Sequence, residues 1–136
     1  PKPPNYATLC KLLAPAPDQH VIHFIVTITD DLGNSWISYV NYIVSAPALQ
    51  ANSVIVDDSF GGNNNGRLDP GETVTVTIPT LNNGHATSTD GVANIATTTL
   101  GISFANNNMP FTALAPAAQT QSVFGITASP TLPIGS

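Results

Sequence analysis

The segment Asp57–Glu72, "DDSFGGNNNGRLDPGE", gathers the side chains best suited to chemistry in this chain. Carboxylates stand at Asp57, Asp58, Asp69 and Glu72, amides at Asn63, Asn64 and Asn65, and neither Cys nor His lies among them. Such a set is made of hard oxygen donors, which suit calcium rather than zinc. Placing Gly66 at the sharp-turn position of a calcium loop puts Asn63 third, Asn65 fifth, Asp69 ninth and Glu72 twelfth. Arg67 falls seventh, where only a backbone carbonyl is required. The first position is Gly61, which has no side-chain oxygen, so Asp57 or Asp58 is expected to complete the set. Four carboxylates in one loop repel one another, and Arg67 is the only nearby cation, so a divalent ion would offset the excess. The expected cofactor is therefore a structural Ca2+ held by Asp57, Asp58, Asn63, Asn65, Arg67, Asp69 and Glu72. The plainer alternative is a solvated Asn/Gly turn, in which these residues serve backbone geometry alone.

Other constellations carry less. Cys10, His20 and His23 could suggest a thiol nucleophile with a base. However, Cys10 sits in the apolar "ATLCKLL", and His20 and His23, three apart on a strand, face opposite sides. Ser88, His85 and Asp90 could be drawn as a hydrolytic triad, but no nucleophile elbow or oxyanion motif accompanies them, and His85 reads as a turn residue. Trp36, Tyr39 and Tyr42 could form a sugar platform. Tyr42 shares a face with Val40 and Val44, which leaves Tyr39 as the aromatic directed outward. No catalytic residue is expected in this chain.

The elements that must position these residues are strands. "VIHFIVTIT" places Ile22, Phe24, Val26 and Ile28 on one face, and "WISYVNYIV" places Trp36, Val40, Tyr42 and Val44 on one face. With the polar "DDLGNS" between them, residues 21–44 read as a β-hairpin. "TVTVTI" alternates Val74, Val76 and Ile78 with threonines. "SVIV", "VANIA", "LGISF" and "SVFGITA" supply further strands, separated by the turn clusters "GGNNNG", "LNNGH", "ANNNMP" and "LAPAA". No window has helical periodicity. The expected fold is all-β, an immunoglobulin-like β-sandwich preceded by a β-hairpin.

"SAPALQ" reads as a linker. It separates residues 1–46, the closing strands and hairpin of a preceding repeat, from residues 47–136, an Ig-like sandwich lacking its last strand. "KLLAPAPDQH" also matches "GITASPTLPIGS" in outline: each is an apolar strand end followed by a Pro-containing loop. The hairpin is then the kind of element that completes a body like residues 47–136, in its own chain or by strand exchange with a neighbouring chain.

Bulk composition agrees with an exported β-protein. Hydrophobic residues make up 42% of the 136, enough for a core, whereas charged residues make up only 8%. A net charge of −5 with three basic residues offers no footprint for nucleic acid or an anionic membrane. No apolar run is long enough for a membrane span. The single Cys excludes an internal disulfide. The absence of Asn-x-Ser/Thr disfavours a glycosylated eukaryotic origin. Both ends read as cut from something longer.

The stretch "VDDSFGGNNNGRLDPGETVTVTIPTLNNGHATSTDGVANI" resembles the Ig-like, CARDB-like repeats of large secreted and surface proteins of the Bacteroidetes. Such repeats often follow cysteine protease domains of the gingipain type. "ITDDLGNSWISYVNYIVSAP" is similar to the closing hairpin and linker that lead into one. The resemblance covers about residues 20–100, most specifically "GNNNGRLDPGE" and "NNGHA". It implies a non-catalytic accessory module, acting as spacer, stabiliser or adhesion domain, on a protein secreted or held at the outer cell surface. The Asn/Asp loop is implied as a calcium site, and neighbouring domains of the same polypeptide as partners. The protease Cys and His of those proteins match nothing here. A module binding glycan or host protein through sandwich loops is the alternative.

Overall fold

The computed structural model of the chain describes residues 11–133, so Cys10 lies outside the described residues. The chain divides into two compact units, Pro1–Ala46 and Pro47–Ser136. Every regular element among the described residues is a β-strand, and every pairing is antiparallel.

In the first unit, β1 (Val21–Thr29) and β2 (Ser35–Ile43) form a hairpin whose register runs from Val21 opposite Ile43 to Thr29 opposite Ser35. Its turn is set by Asp30. The Asp30 Oδ1 accepts the Leu32 and Asn34 backbone N–H groups at 3.0 and 2.8 Å, and Oδ2 accepts the Asn34 amide at 2.8 Å. Gly33 closes the turn with its N–H on Asp30 O, and its φ of 87° is a left-handed conformation suited to glycine. Direct partners share a face, so the register unites Ile22, Phe24, Val26 and Ile28 with Tyr42, Val40, Ser38 and Trp36.

The second unit contains β3 (Leu49–Ala51), β4 (Ile55–Asp57), β5 (Thr73–Asn82), β6 (Gly91–Asn94), β7 (Ile102–Phe104), β8 (Asn108–Phe111) and β9 (Gln119–Ala128). The main sheet runs β3-β5-β9-β7, with β4 also on β5, while β6 and β8 form a separate pair. β5 and β9 are the spine, paired from Thr73–Thr127 to Leu81–Gln119. The alternation of "TVTVTI" is realised there. Val74 and Val76 are buried together with Phe124 and Ile126, and Leu68, Ala93, Phe104 and Met109 pack around them. Pro79 cannot donate to a ladder, and it sits where the edge partner breaks between β3 and β4.

Two strands arise where turn-like composition hides them. β3 begins inside the stretch read as a linker and runs one residue past it, and β8 includes "NMP" from a cluster read as a turn. Pro110 is tolerated because β8 pairs with β6 and has no second sheet neighbour among the described residues. These strands owe their pairing to neighbours rather than to intrinsic propensity.

Candidate functional site

The Asp57–Glu72 segment connects β4 to β5, and its backbone conformation follows from residue type. Asn64 (φ 62°), Gly66 (φ 75°) and Gly71 (φ 88°) are left-handed, a conformation Asn and Gly tolerate best. "DPGE" is a tight turn: Glu72 N–H donates to Asp69 O at 3.1 Å, with Pro70 and Gly71 at the positions each favours. Glu72 Oε2 returns to accept the Asp69 N–H at 3.0 Å. The turn is anchored to β9 through Gly71 N–H on Ala128 O and Ala128 N–H on Glu72 O.

Asp58 is the buried centre of the loop, with 2% of its surface exposed. Its Oδ2 accepts the Asn65 N–H at 2.8 Å and its Oδ1 the Gly66 N–H at 3.2 Å. A buried carboxylate needs such donors, because desolvating the charge without them is costly. Gly62 passes so close that an added Cβ would lie 2.7 Å from Asp58 Cβ and 3.1 Å from the Glu72 carboxyl carbon. Asp58 and Glu72 therefore flank the same glycine.

Asn63 and Asn65 converge on Asp69. Each side-chain NH2 donates to Asp69 Oδ2, at 2.8 and 2.7 Å. Their amide oxygens accept backbone N–H groups, Asn63 Oδ1 from Asn65 and Asn65 Oδ1 from Arg67. The Asn63 amide, then that of Asn65, together with the positive charge of Arg67, holds the Asp69 carboxyl below the usual aspartate range. Asp57 is placed differently. Its Oδ1 accepts the Ser59 N–H at 3.0 Å and the Ser59 hydroxyl at 2.6 Å, which also lowers its pKa.

The structure thus brings together Asp58, Asn63, Asn65, Asp69 and Glu72, along with the Arg67 backbone, and turns the Asp57 side chain to Ser59. Among the described residues, no three Asp, Glu, His or Cys side chains form a group able to hold a metal by themselves. A cation here would draw part of its shell from the Asn63 and Asn65 amide oxygens and from backbone carbonyls.

No family model, curated protein or solved structure matches the chain.

The "NNGHA" stretch owes its character to Asn82, which is fully buried at the end of β5. Asn82 Oδ1 accepts the Ala48 and Gly84 N–H groups, each at 3.0 Å, and its NH2 donates to Ala86 O and Leu114 O at 2.9 and 2.8 Å. One side chain thereby joins three stretches of backbone, at Ala48, at Gly84 and Ala86, and at Leu114. Sequence reading took this cluster for a turn, and the signal available was an Asn continuing the alternation of β5 inward. A depression of about 440 Å3 lies beside it, lined by residues including Asn83, His85 and Pro116. Ser88 and Asp90 also secure backbone: Ser88 Oγ accepts the Leu114 N–H at 2.9 Å, and Asp90 Oδ1 the Ala113 N–H at 2.7 Å. His23 pairs its Nδ1 with Asn41 Oδ1 at 2.7 Å across the hairpin.

Proposed function

We propose that this chain is a non-catalytic accessory module of a secreted or cell-surface bacterial multidomain protein, with an Ig-like sandwich as its body and Ca2+ as a structural ligand of the Asp58–Glu72 loop. It acts as spacer, stabiliser or adhesion domain beside neighbouring domains, of which a gingipain-type protease is one. The Ig-like reading is supported by the five-stranded antiparallel sheet and by the packing of Ala93 on β6 and Met109 on β8 against the same core. The observation that supports the calcium reading is the gathering of Asp58, Asn63, Asn65, Asp69 and Glu72 in one loop, where the Asn63 and Asn65 NH2 groups now on Asp69 Oδ2 would turn away for the ion to reach that carboxylate. The donor set is all oxygen, as a hard cation requires. Asp58, Asn63, Asn65, Asp69, Glu72 and the Arg67 carbonyl would hold the ion. When bound, it would supply the positive charge that several carboxylates in one loop call for.

Calcium titration by calorimetry tests this reading. About one ion should bind per chain, and Asp69→Ala or Glu72→Ala should abolish the heat while Asp31→Ala leaves it intact. Absence of any saturable heat at millimolar calcium overturns the proposal.

A further inference from the structure

The chain holds two Asn-Gly pairs, Asn65 with Gly66 and Asn83 with Gly84, and the fold sets them in unlike surroundings. An Asn-Gly pair can react with itself. The glycine nitrogen closes on the Asn Cγ as a nucleophile, and glycine has no side chain to obstruct the closure. Three things decide whether a folded pair reacts. They are the group that takes the proton from the glycine nitrogen, the group that faces the departing amide, and the freedom of the backbone to close the ring.

At Asn65 both reacting nitrogens touch carboxylates. The Gly66 N–H donates to Asp58 Oδ1 at 3.2 Å, and the Asn65 NH2 donates to Asp69 Oδ2 at 2.7 Å. Asn65 and Gly66 are exposed, and no atom lies within 4 Å of where a Gly66 Cβ would stand. At Asn83 the same two positions are held by neutral amides. The Gly84 N–H donates to Asn82 Oδ1 at 3.0 Å, and the Asn83 NH2 donates to Gln50 Oε1 at 2.7 Å. An amide oxygen accepts a hydrogen bond but does not take the proton, as a carboxylate can. Gly84 is buried, and its acceptor belongs to the fully buried Asn82. Closing the ring at Asn83 would break a buried network, whereas Asn65 can close at the surface.

We infer that Asn65 is a site of self-modification, at which the Gly66 nitrogen displaces the side-chain amide with Asp58 as proton acceptor and Asp69 at the leaving group. The bond from Gly66 N to Asn65 Cγ forms as the Gly66 proton passes to Asp58 Oδ1, which is already within hydrogen-bond reach. The proton returns from Asp58 through water to Nδ2, where the Asp69 carboxylate stabilises the positive charge that develops. The Cγ–Nδ2 bond breaks, the Cγ carbonyl re-forms and ammonia leaves. Water then opens the cyclic imide at either carbonyl, giving aspartate or isoaspartate at this position with no change of oxidation state. The product sets a carboxylate where Asp69 had an NH2 donor, so the loop loses a hydrogen bond and gains a repulsion.

The test is incubation of the whole chain at neutral pH in chelator, which keeps the outcome independent of calcium, followed by peptide mass spectrometry with isoaspartate detection. The mass gain of amide-to-acid exchange should appear at Asn65 roughly tenfold or more faster than at Asn83. In denaturant, where neither carboxylate is held in place, the two pairs should react at similar rates, and Asn65 should react no faster there than in the folded chain. Asp58→Asn keeps the shape and an acceptor oxygen but removes the base. It should slow exchange at Asn65 severalfold and leave Asn83 unchanged. Exchange at Asn83 equal to or faster than at Asn65 in the folded chain overturns the inference, and so does an Asn65 that folding protects. A rate at Asn65 unchanged or raised by Asp58→Asn removes Asp58 as the proton acceptor and overturns it as well.

Discussion

At the scale of single residues, Asn82 and Asp58 tie together backbone of the second unit. Asn82 is fully buried and makes four side-chain hydrogen bonds to backbone. Asn82→Ala strands two N–H groups and two carbonyls, and is expected to destabilise by about 3 kcal/mol, measured by denaturant unfolding. Asn82→Asp keeps the acceptor but sets a carboxylate against the Ala86 and Leu114 carbonyls, so it should be no better tolerated. A loss below roughly 1 kcal/mol for Asn82→Ala would show that water replaces the amide. Asp58→Ala removes a charge-assisted acceptor from two loop amides and should cost about 2 kcal/mol. Hydrogen exchange at Asn65 and Gly66 should accelerate in that variant, while exchange in β9 keeps its order of protection.

At the scale of elements, the turns respond to acid. Asp30, Asp57 and Asp69 are each held below the ordinary aspartate value, first by side-chain hydrogen bonds from Asn34, Ser59 and Asn63 respectively. A lowered folded value means that stability is fully present above the unfolded value, about 3.9, and is lost as pH falls through the folded values. All three groups are exposed, so the loss is modest. Melting temperature should be flat from pH 7 to about 5 and decline below about 4, and a rise on acidification would contradict these assignments. Strands with period-two apolar content were legible in sequence: β1, β2, β5 and β9 lie where alternation places them. β3 and β8 were not, because Pro, Asn and Gln supply no strand signal and their pairing comes from β5 and β6. The loop's residue types were legible as well. The choice between Asp57 and Asp58 was not, since it depends on which carboxylate enters the loop and which turns to Ser59.

At the scale of the molecule, the second unit rests on a small core. Val74, Val76, Phe124 and Ile126 are its buried cluster, and Phe124, at 1% exposure, is the largest member. Phe124→Ala should cost about 3–5 kcal/mol. That is a large share of the stability of a unit this size, so the variant is expected to be partly unfolded at 37 °C by circular dichroism. With a core this small, the proposed ion in the β4–β5 loop would be a substantial contributor. The most direct test of calcium as that contributor is the melting temperature of the whole chain in millimolar calcium against chelator, with magnesium as control. At about ten times its dissociation constant, calcium should raise the transition by about 6 °C or more, and Asp69→Ala should remove the difference. Identical transitions in calcium and chelator would contradict the account and leave the loop a hydrogen-bonded turn with no ligand.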